Sequence, residues 1–235
     1  MLDDSYAPTA SRDSIESTLA LGERRLRAEA ARSGGIREGE QGGAEWRAVI
    51  AVEQDRTGVL TAGFESLRKG GAEHDVYFHA QTRRWVKATH PWGAGFAVDL
   101  DGNAATWLPA TPLTYLRRML LQNLRFGDDI RFEGVLSTPS GNRLVISQPD
   151  VVGEAPDLVT MDRLLQVQHA FRRLNLPPLG YYHSFSYFDA RHSLALFDAH
   201  PANFVLSKEV LVPIDVVLMR LEPAQARWLA GRVVS

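Results

Sequence analysis

Leu196-Phe-Asp-Ala-His-Pro-Ala-Asn-Phe-Val-Leu-Ser-Lys-Glu-Val-Leu-Val-Pro-Ile-Asp215 sets three oxygen-bearing side chains at telling intervals. Asp198 ends an apolar strand, Asn203 follows five positions later, and Asp215 sits twelve further on inside an apolar run. Between Ile214 and Val216-Val217, the Asp215 carboxylate is expected in or beside a core, where a lone charge is costly and calls for a cation. Magnesium takes hard oxygen ligands, usually one or two carboxylates, and completes its shell with phosphate oxygens and water. One amide and one carboxylate on neighbouring strand ends suit it. Asp198, a separate carboxylate, is suited to accept the proton of an incoming hydroxyl.

Around this stretch the second half reads as short elements. Asp162 to Leu174 is a helix closed by Pro177-Pro178, Leu194 to Phe197, Asn203 to Leu206 and Val210 to Leu218 are strands, and Pro223 to Arg232 is a terminal helix. In the first half, Phe64 to Arg68, His74 to Ala80 and Arg84 to Thr89 read as strands, with Gly70-Gly71 at the first junction and Gln81-Thr82 at the second. Pro112 to Leu124 is a helix by the spacing of its leucines, with Thr111 as a cap. Asp129 to Leu136 and Arg143 to Gln148 form a hairpin about Thr138-Pro-Ser-Gly-Asn142. The expected sheet has five antiparallel strands with one helix inserted after the third.

Residues 12 to 31 read as an amphipathic helix whose stripe is thin, because Gly22 stands where an apolar side chain belongs. The polar, glycine-rich segment Gly34 to Gly43 reads as a flexible connection, after which the compact fold starts near Ala44. Trp46 to Glu53 fits a short helix or a strand equally. Arg117-Arg118 and Arg172-Arg173 read as solvated helix faces.

Composition narrows the chemistry. The 235 residues are ample for a core, and 45% hydrophobic with 23% charged residues excludes disordered and fibrous classes. No cysteine is present, so disulfides, thiolate nucleophiles and cysteine-held zinc are excluded. A net charge of −2 gives no footprint for nucleic acid or an anionic membrane. The opening Met1-Leu-Asp-Asp-Ser lacks the basic and apolar regions of a signal peptide, which points to the cytoplasm. His183, His192 and His200 match no zinc-ligand spacing.

Asp198-Ala-His-Pro-Ala-Asn203 followed by Ile214-Asp215 resembles the catalytic loop and metal-binding aspartate of the protein kinase-like superfamily, and His200-Pro201 is closer to the aminoglycoside phosphotransferase form of that loop. Lys87, in Trp-Val-Lys, resembles the kinase lysine that contacts nucleotide phosphates, and Lys69-Gly-Gly-Ala-Glu-His-Asp-Val76 resembles a shortened phosphate loop. Gly70 to Phe78, Lys87 to Phe96, Asn123 to Asp129 and Gln148-Pro149 look most like the kinase-like modules in polyvalent proteins of phages and other mobile elements.

The resemblance implies an α+β, two-lobed kinase-like fold. Residues 1–43 would hold the N-terminal helix and linker, 44–152 an N-lobe with a five-stranded sheet and a hinge, and 153–235 a reduced C-lobe. It implies ATP and magnesium as cofactors, with Gly70, Gly71 and Lys87 on the phosphates and backbone groups from Gln148 to Val151 on the adenine. Asn203 and Asp215 would hold the metal, Asp198 would be the base, and His200 would contact the transferring group or hydrogen-bond backbone. The acceptor would be a hydroxyl of a protein or small molecule, with no nucleic acid or membrane as partner. The chain also departs from the kinase pattern. Pro112 to Leu124 contains no acidic residue to pair with Lys87, leaving only Gln122 or Asn123 as neutral substitutes. Leu196 stands where kinases have histidine, Val216-Val217 replace Phe-Gly, and the phosphate loop lacks its third glycine. These departures admit an alternative: a pseudokinase that senses nucleotide or acts as a scaffold.

Overall fold

The leucine spacing and strand alternation resolve into an α+β chain with antiparallel sheets. The computed structural model describes residues 13–33, 35–36, 39–56 and 68–234. In chain order the elements are α1 (Asp13–Ser33), α2 (Gln41–Arg56), β1 (Arg68–Lys69), β2 (His74–His79), β3 (Arg84–Thr89), β4 (Phe96–Leu100), β5 (Ala105–Pro109) and α3 (Pro112–Phe126). They continue with β6 (Arg131–Thr138), β7 (Gly141–Pro149), α4 (Leu158–His169), β8 (Arg172–Arg173), β9 (Phe185–Asp189), β10 (Leu194–Ala199), a 3-10 turn (Pro201–Asn203), β11 (Phe204–Ser207), β12 (Val210–Pro213), β13 (Val217–Arg220) and α5 (Pro223–Ala230). Among the described residues no helix is long and apolar enough to cross a membrane.

Two compact units divide the chain. Unit 1 holds residues 1–96, 109–120 and 129–150, and unit 2 holds 97–108, 121–128 and 151–235. The expected boundaries at 43 and 152 are contiguous, whereas the units are not, for a packing reason. Val98 and Leu100 of β4 belong to an apolar cluster with Leu174, Phe188 and Phe197, and Leu121 and Phe126 of α3 pack against Met161, Leu165 and their neighbours.

In unit 1 the sheet order is β1-β2-β3-β7-β6. Val86 and Ala88 of β3 meet Val145 of β7 and Leu136 of β6 in one buried cluster. Of the first expected strand, Arg68 pairs with Val76 and Lys69 after it with Asp75, while residues 64–67 lie outside the described residues. Helices α1 and α2 pack on each other and on β6, burying Ile15, Leu19, Val49 and Val52. This resolves Trp46 to Glu53 as helix and places Gln41-Gly-Gly43, expected in the flexible connection, in the first turn of α2. Gly22 is explained by proximity, since a Cβ there would lie 3.0 Å from Leu113 Cδ2. The start of α3 is capped twice: Thr111 Oγ1 accepts from Thr114 N, and the buried Glu45 carboxylate accepts from Leu113 N at 2.9 Å. A carboxylate there also complements the positive end of the helix dipole.

Unit 2 is built on a sheet of order β13-β10-β9-β8, beside the two-stranded pairs β11-β12 and β4-β5. Leu194, Leu196, Tyr187, Phe204, Leu211 and Leu218 are buried with α4 residues in one cluster. The expected single strand Val210 to Leu218 is two. β12 pairs with β11 and β13 pairs with β10, so the chain changes sheets at Ile214-Asp215-Val216.

Candidate functional site

In unit 2, β10 runs as a regular antiparallel partner of β9 until Leu196, then shifts register before Ala199. Asp198 occupies the irregularity with a left-handed backbone, φ 54°. Bulges re-aim side chains, and a non-glycine residue at positive φ persists only where its surroundings hold it. The holders are identifiable. Tyr181 N donates to Asp198 Oδ1 at 2.9 Å, and Gly180, itself at φ +86°, lies so close that a Cβ would sit 2.3 Å from that oxygen.

Asn203 closes the loop that begins at Asp198. Its Nδ2 donates to the Asp198 carbonyl at 2.9 Å and reaches Asp198 Oδ2 at 3.4 Å, while its backbone N donates to the His200 carbonyl. The Asn203 carbonyl accepts from Ile214 N at 2.8 Å, tying the loop to the bend that carries Asp215. With Nδ2 committed to Asp198, the amide presents Oδ1, the oxygen a hard cation takes. Asn203 is buried and the Asp215 side chain is exposed. Of the two placements expected for Asp215, in or beside a core, the second holds: the bend between β12 and β13 turns its side chain to solvent while Val216 and Val217 next to it are buried.

The electrostatics follow from this placement. Burial pushes the Asp198 carboxyl above the usual carboxylate range. The Tyr181 N–H, the His200 charge and the Asn203 amide oppose that rise, and the Asp215 carboxylate adds to it. Asp198 and Asp215 therefore lie within electrostatic reach of one another. His200 follows the bulge and packs its ring against Tyr181, centroids 4.8 Å apart. Thus Asp198, His200, Asn203 and Asp215 are brought together. A proton acceptor with a raised pKa beside an amide oxygen and an exposed carboxylate can bind a hard divalent cation and deprotonate a nearby hydroxyl.

The other candidates belong to unit 1, apart from Val151. Lys87 is half-buried on β3, and its Nζ donates to Gln148 Oε1 at 2.9 Å. An amide companion for the lysine therefore comes from the neighbouring strand β7. Gln122, considered for that place, donates to Asp128 Oδ2 and to the Pro213 carbonyl within unit 2. Gln148 is buried, and the chain passes from unit 1 to unit 2 between Asp150 and Val151. Gly70 and Gly71 form a tight turn in which both N–H groups donate to the His74 carbonyl at 3.1 Å, so in this turn those amides are spent internally.

One feature of unit 1 escapes the sequence reading. Glu73 is buried and makes a bidentate pair with Arg118, at 2.6 and 2.5 Å, and accepts from Phe96 N at 2.7 Å. Burial raises the Glu73 carboxyl, but the Arg118 and His74 charges and these hydrogen bonds outweigh it, so the pKa is held down at about 2. Arg118, expected on a solvated face, is 3% exposed, and its neighbour Arg117 alone is turned outward, pairing with Glu23. The other expected solvated pair also divides, since Arg172 is exposed and Arg173 lies over the Phe185 ring at 3.7 Å. Gly95 is required beside Glu73, because a Cβ would fall 2.1 Å from Glu73 Oε1.

Comparison with known proteins finds no matching family model, curated protein or solved structure.

Proposed function

We propose that this protein is an ATP- and magnesium-dependent phosphotransferase of kinase-like type, moving the γ-phosphoryl group to a hydroxyl of a protein or small-molecule acceptor. The observation that carries the reading is the Asp198 carboxylate, raised in pKa and held on a left-handed bulge with Asn203 bonded to it and Asp215 in electrostatic reach. A base for hydroxyl deprotonation works best when its pKa is lifted toward neutrality. With Oδ1 engaged by Tyr181 N, Oδ2 is the oxygen that takes the acceptor's proton as the hydroxyl oxygen bonds to phosphorus and ADP leaves. Asn203 Oδ1 and the Asp215 carboxylate would hold magnesium, which when bound offsets the charge of the phosphates. In unit 1, Lys87, whose Nζ donates to Gln148, resembles the kinase lysine that contacts nucleotide phosphates.

The proposal includes a two-lobed kinase-like fold with a reduced C-lobe. The element order supports it: short strands, the lysine strand, helix α3 and the β6-β7 hairpin precede the Asp198 loop and Asp215. A second reading, nucleotide sensing without transfer, is favoured by the turn that consumes the Gly70 and Gly71 amides.

Thermal shift with ATP, with and without magnesium, and transfer of a labelled γ-phosphoryl group test both. Magnesium-dependent stabilisation with transfer, lost in Asp198→Asn by about 10²–10⁴-fold, is the expected result. Stabilisation without transfer selects the sensor, and unchanged transfer in Asp198→Asn removes that residue from its role.

A further inference from the structure

A second site lies in unit 2 at the other end of β10. Asp189 ends β9 fully buried, and its carboxylate is satisfied from several sides. Oδ1 accepts from Arg191 N at 2.9 Å, Oδ2 lies 2.7 Å from His192 Nδ1, and Arg125 Nη2 of α3 donates to Oδ2 at 3.0 Å. Arg125 also donates to the His169 carbonyl. The β9-β10 turn is thereby fixed, and Leu221 N donates to Ser193 O, clipping the end of β13 to it. In that register Leu194 pairs with Arg220.

The result is a cavity of about 560 Å³ whose wall includes Arg125, Arg191, His192 and Arg220 together with Leu121 and Leu124. Among the described residues the Arg191 and Arg220 side chains have no carboxylate or other hydrogen-bond partner, and Arg125 keeps a buried Nε–H without an acceptor. Asp189 is the carboxylate bonded to this wall, and its lone pairs are already taken. In a chain of net charge −2, three guanidiniums around one cavity are a local excess of positive charge. Two unpartnered guanidinium forks match the several oxygens of a doubly charged phosphate, and the leucines offer an apolar surface to the body that carries it. The volume falls in the range of small-ligand sites.

We propose that this cavity binds a phosphate monoester carried on a small organic body, with Arg191 and Arg220 as the phosphate ligands. Along β10, Leu194 and Asp198 are separated by about 13 Å at the usual rise per residue, so the site is distinct from the Asp198 loop. The proposal does not rest on phosphoryl transfer.

Calorimetry of the full chain in magnesium-free buffer tests it, with phenyl phosphate and inorganic phosphate as probes. Phenyl phosphate is expected to bind saturably and at least about tenfold more tightly than inorganic phosphate, and Arg191→Ala and Arg220→Ala each to weaken it by about tenfold or more. Both side chains are exposed and unpartnered, so the variants are expected to keep the wild-type melting temperature, which confirms that folding is intact. Binding should also weaken as salt rises. Absence of saturable phenyl phosphate binding, equal affinity for the two probes, or unchanged affinity in the Arg191→Ala/Arg220→Ala double variant would each overturn the proposal.

Discussion

Glu73 in unit 1 and Asp198 in unit 2 are both carboxylates withdrawn from water, yet their protons are held in opposite ways. Glu73 has a guanidinium on both oxygens and a backbone N–H besides, and its pKa falls to about 2. Asp198 has one backbone N–H and a long amide contact, with a second carboxylate in reach, and its pKa rises. Burial acts on both in the same direction, so partners decide the outcome. A buried charge fully matched by a cation serves the fold, and one left under-matched is poised to take a proton.

The contrast breaks most visibly at Glu73. Glu73→Gln leaves Arg118 charged and buried, and urea denaturation should record a loss of about 3–5 kcal/mol. The pH dependence has a definite sign. The folded pKa lies below the unfolded one, so the pair's contribution is present above pH about 4.5 and is lost as pH falls toward about 2. Glu73→Gln should flatten stability across that window, and a wild type with no such dependence would remove Glu73 from its structural role.

A smaller effect sharpens the other side. Gly180→Ala places a side chain on a positive-φ backbone against Asp198 Oδ1, and should cost about 1–3 kcal/mol by thermal or urea unfolding. Because the flexible carboxylate must move aside, phosphoryl transfer should fall by more than the stability loss explains. Smallest in stability is Asp198→Asn. Asparagine is at ease on a left-handed backbone, and removing an ionised group that burial disfavours should leave the melting temperature equal or slightly raised at pH 7. A fall of several degrees would place Asp198 with Glu73 as a structural acid.

Helix α3 was readable because its leucines repeat at helical spacing, and the β6-β7 hairpin because its turn residues are explicit. The β4-β5 hairpin was legible in principle from Asp101-Gly102 but goes unread beside stronger signals. Arg118 could not be read as buried, since its partner lies 45 residues away and nothing local marks it. The companion of Lys87 hides in sheet register. Trp85 pairs with Gln148, so Lys87, two residues on, is its diagonal neighbour. At the candidate site the spacing of Asp198, Asn203 and Asp215 is visible in the chain, but the bulge at Asp198 lies in the register between β10 and β9, and the outward bend at Asp215 in the passage of the chain from the sheet of β12 to that of β13.

The most direct measurement of the central claim is calorimetric ATP binding to wild type and Asp215→Asn as magnesium is titrated. Affinity that rises with magnesium in the wild type and stays flat in the variant is predicted. Affinity that ignores magnesium in the wild type, or rises identically in both proteins, would contradict a metal held by Asp215.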